Sequence, residues 1–406
     1  MPAPTERASI ALPLAIAAAG ALLLGGLNIA NVRAFAPHWG QDLAFFTQIA
    51  WSASQGGPWA SPLLHEPQGF FQMVHSHLVL PLVVGVYALI PRQEVLLAFQ
   101  GAFVGLALWP AFRLAETVAR EREVRRPALL ASLAALSLLL LGPLQGVGSA
   151  DFRPSALFLP GLVGVFAAAR QGSVTQALLW SLVAQAGRQE ASYLLIPAGL
   201  ALCLFPWGGA RRWRVGLAVL ALAGLCFGLW ILAKPQMFFH FDPRRVVTEE
   251  AGPLDPDLVQ ARLRFLGRWL RSGGVLGVLQ PTALLAGLPL AAQLARDSRE
   301  WTAELGPSVH WHVSWLCFAV PGMLAGAMAW PRRAGGAIVG VILLAVLNLS
   351  SFPQHMVRSG QPELRALVEL VGPEERVGAD HDTIAALAGR AVLWNLDSLH
   401  LGEEQR

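Results

Sequence analysis

Apolar runs of membrane-spanning length recur along almost the whole chain, among them residues 10–29, 129–141 with its flanks, 215–233 and 334–347. A helix needs about 20 mainly apolar residues to cross a hydrocarbon core of about 30 Å. Within lipid every backbone N–H and C=O has to be satisfied inside the protein, which selects helices for such runs. The pattern therefore predicts an all-α polytopic integral membrane protein with about ten membrane-embedded helices. A chain that is 54% hydrophobic and only 14% charged cannot clothe a water-soluble surface. A soluble enzyme, a nucleic-acid binder and a secreted domain are thereby excluded.

The formal charge of +4 arises from basic residues in short clusters at the ends of apolar runs. That placement encodes topology and not a phosphate-binding face, so no nucleic-acid partner is expected. Cys203, Cys226 and Cys317 lie inside apolar segments and offer neither a disulfide framework nor a CxxC metal site. Lipid is the expected partner along most of the length.

Arginine placement orients the chain. The clusters Arg120, Arg122, Arg125, Arg126 and Arg211, Arg212, Arg214 are expected in the cytoplasm. Helices over 127–147, 154–170, 174–187, 191–206 and 213–234 then alternate outward and inward, 93–118 runs inward, and the first helix leaves a cytoplasmic N-terminus. The N-terminal apolar run exceeds a signal-peptide core and reads as a retained helix. A bacterial inner (plasma) membrane protein fits this layout, with a transmembrane domain over 1–350. Residues 31–92 form a first outer loop, in which 78–90 is too short to cross and reads as re-entrant or interfacial. Residues 235–272 form a second, where Val259, Leu263, Leu266 and Leu270 share one helical face and Arg262, Arg268 and Arg271 take others, as in a basic helix lying on the membrane. The stretch 273–308, split by Pro281, Pro289 and Arg296, leaves its topology open. Arg332 and Arg333 mark a cytoplasmic turn and send the tail outward, where 361–406 reads as a small soluble α/β appendage.

On this topology Asp42, His75, His77, Asp151, Arg153, Arg188, Glu190, His240, Asp242, His310 and His312 all fall at the outer ends of helices or in outer loops. Ionisable groups at membrane depth cost roughly 2.5 to 3.5 kcal/mol each, so they persist in pairs or around a polar cavity. Taken singly, each has a plain structural role available. Asp42 suits the start of an interfacial helix bearing Leu43, Phe46, Ile49 and Ala50 on one face. The pairs Asp151 with Arg153 and Arg188 with Glu190 suit local salt bridges in turns, and His310 and His312 suit interfacial hydrogen bonds beside Trp311 and Trp315. The spacing of His75 and His77, repeated at His310 and His312, also suits a metal or an anionic sugar phosphate if the pairs close in space. Convergence of so many on one face is the functional signal.

The order Gln41-Asp42-Leu43, His75-Ser76-His77 leading into Leu-Val-Leu-Pro, Asp151-Phe152-Arg153-Pro154 and Arg188-Gln189-Glu190 resembles the prokaryotic membrane proteins grouped as domain of unknown function 2079. That family shows Tyr-Asp-Leu-Gly, Asp-His-Phe-Ser-Pro, Asp-Phe-His-Pro-Glu and Lys-Glu-Asp motifs in the same order. The resemblance runs from about Phe35 to Asp397, with Val377-Gly378-Ala379-Asp380 matching a tail strand. His75 stands where the family tends to have Asp, Arg153 where it has His, Ser155 where it has Glu, and Ala191 where it has the last Asp. A metal or acid/base role carried by those groups in relatives is therefore altered or lost here.

The family is similar in layout to the C superfamily of membrane glycosyltransferases (GT-C), which move a sugar from a polyprenyl-phosphate donor to an acceptor at the outer leaflet. The resemblance implies Asp42 as the base that deprotonates or orients an acceptor hydroxyl, with Glu190 placing Arg188 or the acceptor. It implies Arg153, Arg188 and the basic helix as holders of the lipid phosphate. Asp151 and the histidines His75, His77, His310 and His312 would line the donor, sugar or acceptor, with a divalent metal ion compatible with the set. A lipid or small-molecule transporter or flippase, and a non-catalytic relative, are the alternative readings.

Overall fold

The computed structural model describes residues 10–34, 41–59, 61, 77–148, 151–209, 211–233, 260, 263, 275–288, 312–329, 336–351, 366, 368, 370–371, 377–379 and 393–395. Its first helix, α1 (Ala11–Arg33), is followed by α2 (Gln41–Ser54), α3 (Leu80–Leu89), α4 (Glu94–Leu106) and α5 (Leu108–Glu121). Then come α6 (Pro127–Ser137), α7 (Gly142–Gly148), α8 (Phe158–Gln171), α9 (Val174–Gly187), α10 (Ala191–Leu204) and α11 (Arg212–Ala233). Short helical turns at Val275–Gly277 and Thr282–Ala286 precede α12 (His312–Ala329) and α13 (Gly336–Ser351).

Among the described residues three helices are long and apolar enough to cross a membrane: Ala11–Arg33, the 28-residue rod Glu94–Glu121 formed by α4 and α5, and Arg212–Ala233. A fourth crossing exists if the bent pair Pro127–Leu140 and Gly142–Gly148 counts as one span. The expectation of about ten is corrected accordingly. The apolar runs are real, but several fold as helices of only 10–17 residues, such as Leu80–Leu89 and Ala191–Leu204. The expected helix over 127–147 shows how. Pro143 has no N–H and crowds the carbonyl four residues back, and the helix turns by 72° at that break. The carbonyl released is that of Leu139, and it accepts the side-chain amide of Gln145 at 2.7 Å. The inward helix expected over 93–118 does form, as the α4–α5 rod.

The core begins where α1 meets α4. Small residues four apart, Ala21 and Gly25 on one helix and Gly101 and Gly105 on the other, let the two backbones touch. A Cβ on Gly101 would stand 2.4 Å from the Gly25 nitrogen, and one on Gly105 2.4 Å from that of Ala21. Helices immersed in lipid gain no hydrophobic drive by pairing, so close van der Waals contact between small residues is the attraction available. The pair is antiparallel, since Arg33 at the end of α1 meets Glu94 at the start of α4 at 3.0 Å.

Hairpins then carry the chain back and forth. Gly172 adopts φ +69° to close α8, and the Ser173 hydroxyl accepts the Gln176 N–H to open α9. Gly161 lies against Ala184 across this hairpin, and Gly199 against Leu220 between α10 and α11. The ends sort into two sets. Arg33, Glu94, the end of α7 and the turns at 151–153 and 188–190 share one end, whereas Glu121, Arg170, Trp207 and the start of α11 share the other, joined by hydrogen bonds from Arg170 to Glu121 and Trp207.

The expected basic helix over 235–272 lies outside the described residues apart from Gln260 and Leu263. In the tail, β1 (Val377–Ala379) and β2 (Leu393–Asn395) pair in parallel with Val377 opposite Leu393. Two strands of this length do not make a folded layer, so the described tail does not support the expected α/β appendage.

The α1–α4 contact carries a direct test. Gly101→Ala should lower thermal stability in detergent by an amount equivalent to about 1–3 kcal/mol, because neither backbone can yield. Gly26→Ala, which meets nothing within 4 Å, should leave the midpoint within about 0.5 kcal/mol of the parent.

Candidate functional site

Four charged residues from three separate stretches of sequence meet at the Arg33 end of the bundle. Asp42 sits in the first turn of α2, where the helix dipole favours a carboxylate. The face that α2 buries is the one expected, with Leu43, Phe46, Ile49 and Ala50 all inside. This fixes the helix so that Asp42 remains 40% exposed while its Oδ2 lies 2.9 Å from Nη2 of Arg153. In the turn between α9 and α10, Nε of Arg188 lies 2.8 Å from Oε2 of Glu190. The two pairs form one cluster, because Arg188 also feels the charges of Asp42 and Arg153.

Burial lowers the pKa of Arg188, with Glu190 and then Asp42 opposing that shift and Arg153 adding to it. The sign matters. A base whose folded pKa is depressed loses stability by carrying its charge, so the neighbouring carboxylates offset a desolvation cost and do not yield a surplus.

Arg153 is positioned from below by Gln100 of α4. The Gln100 side chain accepts the Arg153 backbone N–H at 2.9 Å and donates to the Val147 carbonyl at the end of α7 at 2.6 Å. A single buried amide thus ties the central rod, the broken helix and the arginine together. Aromatic packing supplies the floor. Phe46, one turn after Asp42, lies edge-on to Phe152, which precedes Arg153, and also to the His77 ring, each at 5.2 Å between centroids.

His77 is buried, and its Nδ1 lies 2.7 Å from the Gly187 carbonyl. A carbonyl only accepts, so Nδ1 carries the proton. The Val79 N–H bonds the neighbouring Ala186 carbonyl, and together these contacts hold the end of the first loop against the α9–α10 turn. Asp151 is buried in the turn before Arg153. His75, His240, Asp242 and His310 lie outside the described residues, and of His312 only its place as the first residue of α12 is described.

Among the described residues no three of His, Cys, Asp and Glu converge as metal ligands. Asp42 and Glu190 each face a guanidinium, and Nδ1 of His77 is committed to a carbonyl, so this donor set suits an anion better than a divalent cation. Sequence reasoning singled out all four charges of the cluster and missed Gln100. The signal was present, since Gln100 is a lone amide within the apolar run LLAFQGAF.

These features define a helical membrane protein with a charged cluster at one end of its bundle. Residues 40–236 match the model of the family described as "Predicted membrane protein (DUF2079)", to which this segment of the chain is similar. The match spans Asp42, His77, Arg153, Arg188 and Glu190. Comparison with curated proteins found no match.

Removing one partner of a half-buried ion pair leaves the other charge uncompensated. Glu190→Ala should therefore destabilise the protein by about 1–3 kcal/mol. The double change Arg188→Met with Glu190→Met should recover most of that loss in the same detergent melting measurement; a double variant no more stable than Glu190→Ala would show that the pair matters through other contacts.

Proposed function

We propose that the chain is a membrane glycosyltransferase of GT-C type, acting on a polyprenyl-phosphate-linked sugar at the outer leaflet of a bacterial inner membrane. The observation that carries the reading is the convergence of Asp42, Arg153, Arg188 and Glu190 from three turns of the chain at one end of the bundle. Arginine clusters at the opposite end give that end the cytoplasmic character and leave the site facing outward.

In this mechanism Asp42, the most exposed of the four, takes the proton of an acceptor hydroxyl as its oxygen attacks the anomeric carbon of the sugar. The bond from that carbon to the phosphate oxygen breaks, and polyprenyl phosphate leaves with the electron pair. Arg153 and Arg188 receive the phosphate charge, for which the planar guanidinium is suited through paired N–H contacts. Glu190 holds Arg188 in place, and the Phe46–Phe152 floor excludes water beneath the pair. The donor's phosphate takes over the Arg153 contact that Asp42 makes without it, which releases Asp42 to act as the base.

A specific observation favours a second reading, that of a non-catalytic relative. Each arginine of the cluster already has its own carboxylate, a mutual neutralisation that a purely structural site also needs.

The experiment is incorporation of labelled sugar from polyprenyl-phosphate-linked donors into membrane acceptors, comparing the parent with Asp42→Asn at matched expression. Donor-dependent transfer that falls by about 100-fold or more in the variant is expected of a lost general base. Equal background from both proteins across several donors would leave the non-catalytic reading standing.

A further inference from the structure

The largest group of charges that the candidate site does not use lies at the other end of the bundle. Arg170, buried in the last turn of α8, donates from Nε to both carboxylate oxygens of Glu121 at 3.0 and 2.8 Å and from Nη1 to the Trp207 carbonyl. The turn after α5 and the turn before α11 are thereby tied to one point. Gly172, two residues on, packs against Arg211. Arg122, Arg125 and Arg126 follow Glu121 in the chain, and Arg211, Arg212 and Arg214 follow Trp207.

No ion pair among the described residues neutralises these six. Glu116 is taken by Arg113 and Arg120, and Glu121 by Arg170. Among the described residues the six arginines have no ion-pair partner, and of the acids in the same turns only Glu123 is left. Neither α6 nor α11 carries an acidic residue in its first turn. Apolar surface adjoins the charges directly. Leu204, Phe205, Trp213 and Leu217 are exposed, and the Arg214 guanidinium lies over the Trp213 ring at 5.3 Å from its centroid. Arginine beside an exposed tryptophan at the mouth of an apolar helix is the chemistry of head-group depth, where one neighbour is a phosphate and the other an acyl chain.

We infer that this rim is a docking surface for anionic phospholipid. The phosphate and glycerol head group sits among Arg211, Arg214 and the arginines of the 122–126 turn, and the acyl chains run along Leu204, Phe205 and Leu217. Charge complementarity selects the occupant: a neutral zwitterionic lipid brings its own cation to a rim that already has an excess of them. The inference is independent of any transferase activity at the other end.

The test is retention of lipid by the purified full-length protein in detergent, read by native mass spectrometry and by thermal shift, with phosphatidylglycerol against phosphatidylcholine. Phosphatidylglycerol should stay bound and raise the melting midpoint, and phosphatidylcholine should not. Arg211→Gln with Arg214→Gln should weaken that retention on the order of tenfold, whereas Arg33→Gln, which removes one charge at the opposite end, should not. In the parent protein alone, raising salt from about 0.15 M to about 1 M, which shortens the screening length from about 8 Å to about 3 Å, should weaken retention in parallel. Equal retention of both lipids, retention insensitive to salt, or retention unchanged in the double variant would overturn the inference. So would displacement of the lipid by inorganic phosphate at matched concentration, which would mark a site for soluble anions.

Discussion

Backbone carbonyls released by breaks in apolar helices must find donors inside the protein, since lipid supplies none. Much of the structure answers that demand. Pro143 frees the Leu139 carbonyl and Gln145 takes it. After α10 ends, three consecutive carbonyls are taken by three different elements: Phe205 by Arg212, Pro206 by Thr282 and Trp207 by Arg170. The end of α7 is closed by Gln100 and that of α9 by His77. Asn348 of α13 reaches Ser137 at the end of α6. Each of these polar side chains reaches a carbonyl at or near a helix end, so this set of interior polar residues records where the backbone is interrupted.

This accounts for what was legible in the sequence and what was not. Hydrophobic runs are visible to simple inspection, and the α4–α5 rod and α11 lie close to where the runs at 93–118 and 213–234 placed them. Counting runs as crossings failed because proline and glycine set helix length locally while composition sets only affinity for lipid. The charged cluster was legible as a list of residues on one face, because polar groups in such a chain are few. Its pairing was not. Adjacent residues in the DFRP and GRQE motifs suggested Asp151 with Arg153 and Arg188 with Glu190; only the second forms, and Arg153 turns to Asp42 on a distant helix. Which acid an arginine meets depends on how α2 lies against the α7–α8 turn, a tertiary fact that spacing cannot encode.

Gln100 links the two levels. As a lone amide in an apolar helix it belongs to the class of residue that satisfies a broken backbone, and it does so for Val147. Its other end fixes the backbone of Arg153, so the same side chain that repairs a helix end also aims a charge of the candidate site. In a medium of low dielectric this economy is expected, since each buried polar group is costly and one with both a donor and an acceptor serves two partners.

The two ends of the bundle then differ in how their charges are balanced, and that difference constrains what each can do. In the cluster of Asp42, Arg153, Arg188 and Glu190, arginines and carboxylates stand in equal number, so an incoming anion competes with an internal one for the same guanidinium. At the Arg170 end, the buried arginine is locked by Glu121 and Trp207, and the surplus of positive charge among the described residues lies outside the lock. The first arrangement suits a ligand that comes and goes; the second suits a surface that stays put against a negatively charged neighbour. The small-residue seam between α1 and α4 keeps these ends at a fixed separation, because two backbones in contact cannot slide without opening the gap that holds them together.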